Sequence, residues 1–294
     1  MDKRSTGRTP LPRRTFLKLS GLTIPLAAFF GRVPQAIAGW WERGQTELWS
    51  NGLFVQDNVD VSRIEDGIIR ARIDGSWDDY SVIELDDAFM EWNLASRLDY
   101  LETISKGRMP GLAGPHAAAV ATSGGGRRDT RFLLNNAVKG MGFAPRRDKI
   151  GELTERLKNT LEADMPEKLE ILKENYRHPE WWDRTRQVSL ELYARPDFET
   201  HTFLNLMANP AATIVFTDMP SYELRAIARI VHPEDTNLPS WERDLLAYSN
   251  LAHDYFHGQG GRQYALLAFH IVEQFDNSPG SGQGRRVNPA LPEK

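Results

Sequence analysis

Of all the features of this sequence, the alternation of apolar and polar residues in the C-terminal half restricts the possible folds most strongly. The segments "QVSLELYA", "ATIVFTD", "YELRAIARIV" and "RQYALLAFHIVEQFD" have the short apolar patterns of β-strands. Before the last of them, "NLPSWERDLLAYSNLAHDYFHG" predicts an amphipathic helix with Ser240 as its N-cap, Glu242 in its first turn and Gly258 at its end. We therefore expect an α+β fold in which a sheet is interrupted by one long helix before its closing strand.

Two segments of this half resemble the FMN-binding split barrel of the pyridoxamine-phosphate-oxidase-like proteins, over about residues 186–277. "THTFLNLMANPAATIVF" is similar to the family's short helix, which ends in Asn-Pro before a central strand. "YELRAIARIVHPED" is similar to the next long strand and its turn. The resemblance implies a split β-barrel-like C-terminal half with flanking helices, FMN as cofactor, an oxidoreductase activity and a homodimer.

The same resemblance implies where a flavin phosphate is held. In the family, the segment before the Asn-Pro often reads Ser-Arg-Lys, and its basic residues grip the phosphate. Matched on Asn209-Pro210, those places fall on Thr200, His201 and Thr202. Because both strong cations are missing there, a dianionic phosphate needs other partners. The candidates are Arg195, Arg225 and Arg229, of which the last two share one face of their strand.

The N-terminal half predicts a different mixture of elements. Residues 39–80 carry short alternating runs separated by Gly and Asp, which are typical of a β-hairpin or small antiparallel sheet. A helical stripe follows and ends at Gly107, and a charged helical segment, split by Pro166, presents Lys173 on an exposed face. We divide the mature chain into a mixed α/β region at 39–145, a helical connector at 146–185, the barrel-like domain at 186–277 and a flexible tail at 278–294.

Two further motifs allow a structural or a functional interpretation. Gly124–Gly126 precede Arg127-Arg128, and this combination could cradle an anion or form a flexible, solvated loop. It matches neither the Walker pattern nor the dinucleotide fingerprint. The adjacent Trp181 and Trp182 could wall a flat ligand, whereas buried packing or an interface is the commoner use of such residues.

The first 38 residues have the three parts of a secretory signal: a basic start, an apolar run from Leu19 to Phe30, and a closing Ala36-Ile37-Ala38. The apolar run is too short for a transmembrane helix. Arg13-Arg14 and the residues after them resemble the twin-arginine export motif. That resemblance implies export by the twin-arginine machinery into the bacterial periplasm after folding, often around a cofactor, with no membrane anchor after cleavage.

Charge and cysteine content exclude several function classes. The chain has a net charge of −4, and residues 39–294 alone have a net charge of −10. An acidic protein is poorly suited to bind a nucleic-acid backbone. The chain has no cysteine. Zinc–thiolate sites, iron–sulfur clusters and thioether-linked haem are therefore excluded.

Histidines suggest a second kind of site. His253 and His257 lie four residues apart on the predicted helix, so their rings share one face. Together with His201 and His270 they could hold a metal ion or haem, although capping or surface roles are commoner for such pairs. No Gly-x-Ser-x-Gly elbow occurs in the sequence, which argues against a serine hydrolase.

Three hypotheses follow from the sequence. The first is an exported, flavin-binding, split-barrel-like oxidoreductase, in which catalytic side chains cannot be assigned. The second is a non-catalytic periplasmic protein that holds haem, a metal ion or a small ligand. The third is an accessory subunit of a complex whose partner carries the cofactor.

Overall fold

The computed structural model describes residues 48–108, 111, 113–125, 129–280 and 282–290 of the 294-residue chain. The predicted leader, with Arg13-Arg14 and the cleavage point after Ala38, lies outside the described residues, as does the Gly126–Arg128 part of the glycine-rich motif. The described part of the chain belongs to one compact unit. The regions predicted as 39–145, 146–185 and 186–277 all contribute strand residues to the same sheet.

The helices and strands alternate irregularly along the chain. The strands are β1 (Val59–Asp60), β2 (Ile68–Ile73), β3 (Ser76–Ser81), β4 (Ala117–Thr122), β5 (Asn135–Gly140), β6 (Gly142–Pro145), β7 (Trp182–Ser189), β8 (Ala211–Phe216), β9 (Tyr222–Val231), β10 (Leu266–Asp276) and β11 (Arg285–Asn288). The helices are α1 (Asp87–Ser105), α2 (Ile150–Asn159), α3 (Met165–Tyr176), α4 (His201–Ala208) and α5 (Ser240–His257). None of the described helices has the length and apolarity needed to cross a bilayer.

Eight of the described strands form one curled, antiparallel sheet, which confirms the α+β class. Its strand order is β5-β4-β8-β9-β10-β7-β6, and β11 pairs with the end of β10. Strand β10 therefore pairs with three others. Residues 285–288, expected within a flexible tail, form β11.

One face of this sheet carries the main core. Strand β9 places Leu224 and Ile230 there, and both are almost completely buried. Large side chains of the helices pack against them, including Phe89 of α1, Phe203 of α4 and Tyr248 of α5. Burial of side chains of this size stabilises the fold by about 1.5–3 kcal/mol each.

The opposite face is only partly covered. Ile227 of β9 points to that face and packs against Val59, Ile69 and Ala71. These residues belong to a three-stranded antiparallel sheet of β1, β2 and β3, which confirms the small sheet predicted for this region. Strand β9 is thus confirmed, but the prediction that set Leu224, Ile227 and Ile230 together against the charged residues is wrong for Ile227, which lies on the opposite face from the other two.

The polar residues Gln56 and Asn58 attach the N-terminal segment to α4. The side-chain amide of Asn58 donates to the carbonyl oxygens of Leu206 and Met207, at 3.0 Å each. Gln56 donates to Leu206 as well and accepts from the backbone N–H of Ile230. Carbonyl groups in the last turn of a helix lack partners within the helix. These two amides satisfy them and fix α4 against β9.

Three sequence predictions need correction. Pro239, not Ser240, is the N-cap of α5, and Ser240 is the first residue of the helix. Lys173 is buried, not exposed. Its ammonium group is ion-paired with Glu102 and Glu170 at 2.7 Å each, and these contacts compensate the burial of its charge. Strand β7 begins at Trp182, five residues before the predicted start at Gln187. Trp182 is buried against Phe143 and Tyr176, as its packing interpretation predicts.

Candidate functional site

A cavity of about 470 Å³ lies at one end of the large sheet, where β7 and β9 end and β10 begins. We call it the end-of-sheet cavity. Its size is within the usual range for small-molecule sites. Four short segments line it, and they are far apart in sequence. They contribute Trp49, Gly52 and Phe54; Leu190 and residues 193–196; residues 232–234; and residues 261–265.

Aromatic side chains form one wall of the end-of-sheet cavity. The rings of Trp49 and Phe54 have their centroids 5.2 Å apart and meet edge to face. The ring of His232 lies 4.9 Å from Phe54, also edge to face. The indole N–H of Trp49 donates to Glu199 at 2.8 Å, which fixes the orientation of this ring. Such a wall suits the face of a flat, conjugated ligand.

Two guanidinium groups bring positive charge to this cavity. Arg195 contacts Asp197 at 3.2 Å, and both side chains are largely exposed. Arg262 lies 5.4 Å from the ring centroid of Tyr264 and has no carboxylate partner among the described residues. The lining also includes one carboxylate, Glu234, so it has one more cation than anion. Because Asp197 already pairs with Arg195, Arg262 is the lining group that would attract an anionic ligand.

His232 is a hydrogen-bond donor in this setting. Burial holds the pKa of His232 below its usual value, so the ring is neutral at pH 7. Its Nδ1 accepts the backbone N–H of Glu234 at 3.1 Å, and its proton is therefore on Nε2.

Tyr193, which also lines the cavity, has a strained backbone conformation. Its φ is +51°, a left-handed conformation that a bulky residue rarely adopts. Burial and then the carboxylate of Glu191 raise the pKa of Tyr193, so the phenol stays protonated.

Behind this wall, Lys139 of β5 is almost fully buried and donates to the carbonyl oxygen of Glu191. Burial lowers the pKa of Lys139 to about 8. The carboxylate of Glu191 accepts the backbone N–H of Gly140 at 2.7 Å. These contacts hold the segment that carries Tyr193 in place. Lys139 itself does not line the cavity.

The predicted phosphate-binding residues Thr200, His201 and Thr202 lie at the start of α4, next to Trp49. Thr200 is the N-cap, and its hydroxyl already donates to the carbonyl oxygen of Leu192 at 2.8 Å. Thr202 is buried and accepts from Asn135. His201 lies 3.4 Å from Asp129, whose carboxylate would repel a phosphate. In this arrangement the three residues do not suit a phosphate dianion.

The predicted metal ligands His253 and His257 lie near the same cavity. Their ring centroids are 4.9 Å apart, and His253 also lies 5.0 Å from Tyr264, which lines the cavity. The described residues contain no group of three or more His, Cys, Asp or Glu placed to hold a metal ion. His270 lies elsewhere, fully buried in the middle of β10.

The described part of the glycine-rich motif is packed against α4. The backbone N–H of Gly125 donates to the side-chain oxygen of Asn205 at 2.9 Å. A Cβ atom at Gly125 would lie 2.2 Å from the carbonyl oxygen of Leu204. Glycine is therefore required at 125 for close approach to α4, and its N–H is not free for an anion.

Arg225 is remote from the end-of-sheet cavity. It lines a second cavity, of about 690 Å³, on the partly covered face of the large sheet. We call this second space the sheet-face cavity. The two cavities share no lining residue. Arg195 and Arg225, which the sequence offered as alternative sources of charge for a phosphate, thus line different cavities.

Sequence analysis missed most residues of the end-of-sheet cavity. Trp49, His232, Arg262 and Tyr264 come from three separate segments, and none of them belongs to a recognisable motif. The only signal was local: an Arg and a Tyr directly before β10, and a His-Pro directly after β9.

No protein-family model matches the sequence, and a search among curated proteins finds no match.

Proposed function

We propose that this protein is an exported flavin-binding protein that holds FMN in the end-of-sheet cavity and acts as an oxidoreductase. One observation carries the proposal: an aromatic wall and the guanidinium group of Arg262, which has no carboxylate partner among the described residues, meet in one cavity next to α4. The resemblance to the split-barrel family points to the same region, because the start of α4 resembles the segment whose basic residues grip the flavin phosphate in that family.

The residues of the cavity suit the two parts of FMN. Arg262 and Arg195 would bind the phosphate by charge-assisted hydrogen bonds. Trp49 and Tyr264 offer ring faces for the flat isoalloxazine, and His232 Nε2 offers a donor to its polar edge. When bound, FMN supplies the electron transfer. The protein's side chains orient the flavin and exclude water from its ring.

Binding can be tested by titrating the full chain, produced in the cytoplasm, with FMN and with riboflavin, while flavin fluorescence is followed. Riboflavin lacks the phosphate. We expect Arg262→Met to weaken FMN binding by roughly tenfold to a hundredfold, the value of one charge-assisted contact. It should leave riboflavin binding unchanged. Arg225→Met, on the other cavity, is the matched control.

Two results would contradict the proposal. One is a protein that binds neither flavin. The other is an Arg262→Met variant that loses FMN and riboflavin affinity equally, because the arginine would then not contact the phosphate.

The charge balance favours a second candidate, a non-catalytic carrier of a small planar anion in the periplasm. The cavity has an excess of one positive charge, which matches a monoanion better than a phosphate dianion. Flavin that remains bound through gel filtration is expected of a resident cofactor. A carrier would release its ligand on gel filtration and would bind a planar monocarboxylate more tightly than FMN.

We also propose that the protein is a homodimer, as the family resemblance implies. Phe132, Leu133 and Val138 are more than half exposed, and they lie on or just before β5. Among the described strands, β5 is paired on one side only. An unpaired strand edge that has exposed apolar side chains beside it is suited to pairing with another chain.

A further inference from the structure

Two neighbouring strands of the large sheet carry apolar residues on both of their faces. Along β4 and β8, buried residues alternate with partly exposed ones. The buried ones, such as Val120 and Ile214, belong to the main core. The partly exposed ones lie on the opposite face and are Ala117, Ala119, Ala121, Ala211, Thr213 and Val215. An antiparallel sheet with one face in water normally has polar residues on that face, whereas five of these six are apolar.

Strand β5 and the chain before it extend this apolar surface. Val138 of β5 is directly opposite Ala119 in the strand register, so its side chain lies on the same face. Just before β5, the side chains of Phe132, Leu133 and Leu134 are more than half exposed. We call the partly exposed face of β4, β5 and β8, together with residues 132–134, the apolar sheet face. Contiguous exposed apolar side chains of this kind mark a surface that another molecule covers.

Charge indicates what kind of molecule covers the apolar sheet face. The only charged residue of β4, β5 and β8 is Lys139, which is buried on the other side of the sheet. The chain as a whole has a net charge of −4. Two copies of an acidic protein repel each other where like charges meet, and an uncharged face avoids this cost. A partner that is recognised by its charge would find no ion pair to make on this face. The absence of charge here therefore favours a second copy of the chain.

The area of the face indicates which of its parts a dimer needs. Three strands of this length, at the usual strand spacing, cover about 300 Å². A stable dimer buries about 800 Å² on each partner. The strands alone are therefore too small, and the exposed residues 132–134 must contribute. Leu134 also lines the sheet-face cavity, so this projecting segment lies beside a recess. A two-fold arrangement can place the segment of each copy in the recess of the other.

We propose that the apolar sheet face packs against the same face of a second copy, and that residues 132–134 of each copy enter the sheet-face cavity of the other. The two sheets would lie about 10 Å apart, as is usual for sheets that pack face to face. This inference rests on the homodimer proposed above and names the surface that the two copies bury. It does not depend on flavin binding, because the end-of-sheet cavity shares no lining residue with the sheet-face cavity.

Sedimentation velocity of the full chain over a range of concentrations measures the dimer. Val215→Lys and Ala119→Lys each place a charge within the apolar sheet face. Val215 is on β8, two strands away from the edge of β5, so pairing of two β5 edges alone would not bury it. We expect each variant to raise the dissociation constant of the dimer by at least about a hundredfold, because a charge buried without a partner is costly. Val138→Lys is a further variant for the case in which these two do not fold, since Val138 is 58% exposed in the single chain.

Val55→Lys is the matched control. Val55 is 57% exposed, almost the same as Val138, but it lies in the N-terminal segment, outside β4, β5 and β8. This variant receives the same new charge and should leave the dimer intact. Circular dichroism checks that each variant is folded.

Three outcomes would overturn the proposal. The first is a wild-type protein that sediments as a monomer at every concentration; the homodimer itself then fails as well, and the apolar sheet face belongs to a different partner. The second is a wild-type dimer that folded Val215→Lys and Val138→Lys leave intact, in which case the homodimer stands but uses another surface. The third is equal weakening by Val55→Lys, which would show a general effect of added charge.

Discussion

A buried ion pair joins the large sheet to the helix that follows it. Arg229 of β9 contacts both carboxylate oxygens of Glu242 in the first turn of α5, at 2.8 and 3.2 Å. The side chains are 11% and 1% exposed. The chain between these two residues carries His232 and Glu234, which line the end-of-sheet cavity. This ion pair therefore holds together the two ends of the segment 230–241, which forms part of the candidate site.

Removing one partner should be costly, because it leaves the other charge buried and unpaired. We expect Arg229→Met and Glu242→Leu each to lower the free energy of unfolding by about 3–5 kcal/mol. For a protein of this size, that corresponds to a fall of roughly 6–20 °C in the midpoint of thermal unfolding. The double variant should lose much less than the sum of the two, because no charge is then left unpaired.

Urea unfolding followed by circular dichroism measures these differences, and Arg225→Met serves as an exposed control in the same strand. Single-variant losses below about 1 kcal/mol are typical of exposed ion pairs. Losses of that size, or a double variant that loses the full sum, would refute this account of the ion pair.

Three further predictions concern stability and assembly. Burial and then the guanidinium groups of Arg186, Arg229 and Arg147 hold the pKa of His270 well below its usual value of 6.5. The unfolded chain therefore binds more protons, and stability should fall as the pH drops below about 6.5. In His270→Phe, the midpoint of urea unfolding should fall less between pH 7 and pH 5 than in the wild type, and an equal fall would contradict this. Gly125→Ala should cost about 1–3 kcal/mol in urea unfolding, because its Cβ would meet the backbone of α4; an unchanged midpoint would show that the loop does not pack there. Leu133→Asp should convert the proposed dimer to a monomer in sedimentation velocity without loss of secondary structure, and an unchanged sedimentation coefficient would move the interface elsewhere.

The fold was more predictable from the sequence than the candidate site. Alternation in "YELRAIARIV" and the helical stripe before Gly107 are local patterns, and both elements formed as expected. The start of β7 was missed because Pro179 and Trp181 directly precede it and the first residues of the strand show no clear alternation. Lys173 was assigned to an exposed face because its partner Glu102 belongs to α1, which is about seventy residues earlier in the sequence.

The site could not be predicted because it depends on strand order. Trp49 and Tyr264 are more than two hundred residues apart in sequence, yet they line one cavity. They meet because β9 and β10 pair, and because the segment around Phe54 packs against α4. Arg195 and Arg225 were alternative candidates for phosphate binding, and the sequence could not show that Arg195, in the loop after β7, and Arg225, in β9, line different cavities.

The position of β10 in the sheet has a consequence for biosynthesis. This strand lies near the end of the chain, yet β7, β9 and β11 all depend on it for hydrogen bonds. Strand β4 likewise forms its hydrogen bonds with β8, which is translated about ninety residues later. A nascent chain that has not yet reached Leu266 therefore lacks the strand that joins β7 to β9. The part of the sheet that precedes β10 cannot complete its hydrogen bonding on the ribosome. Folding must be a late, whole-chain event, slowed by these distant pairings.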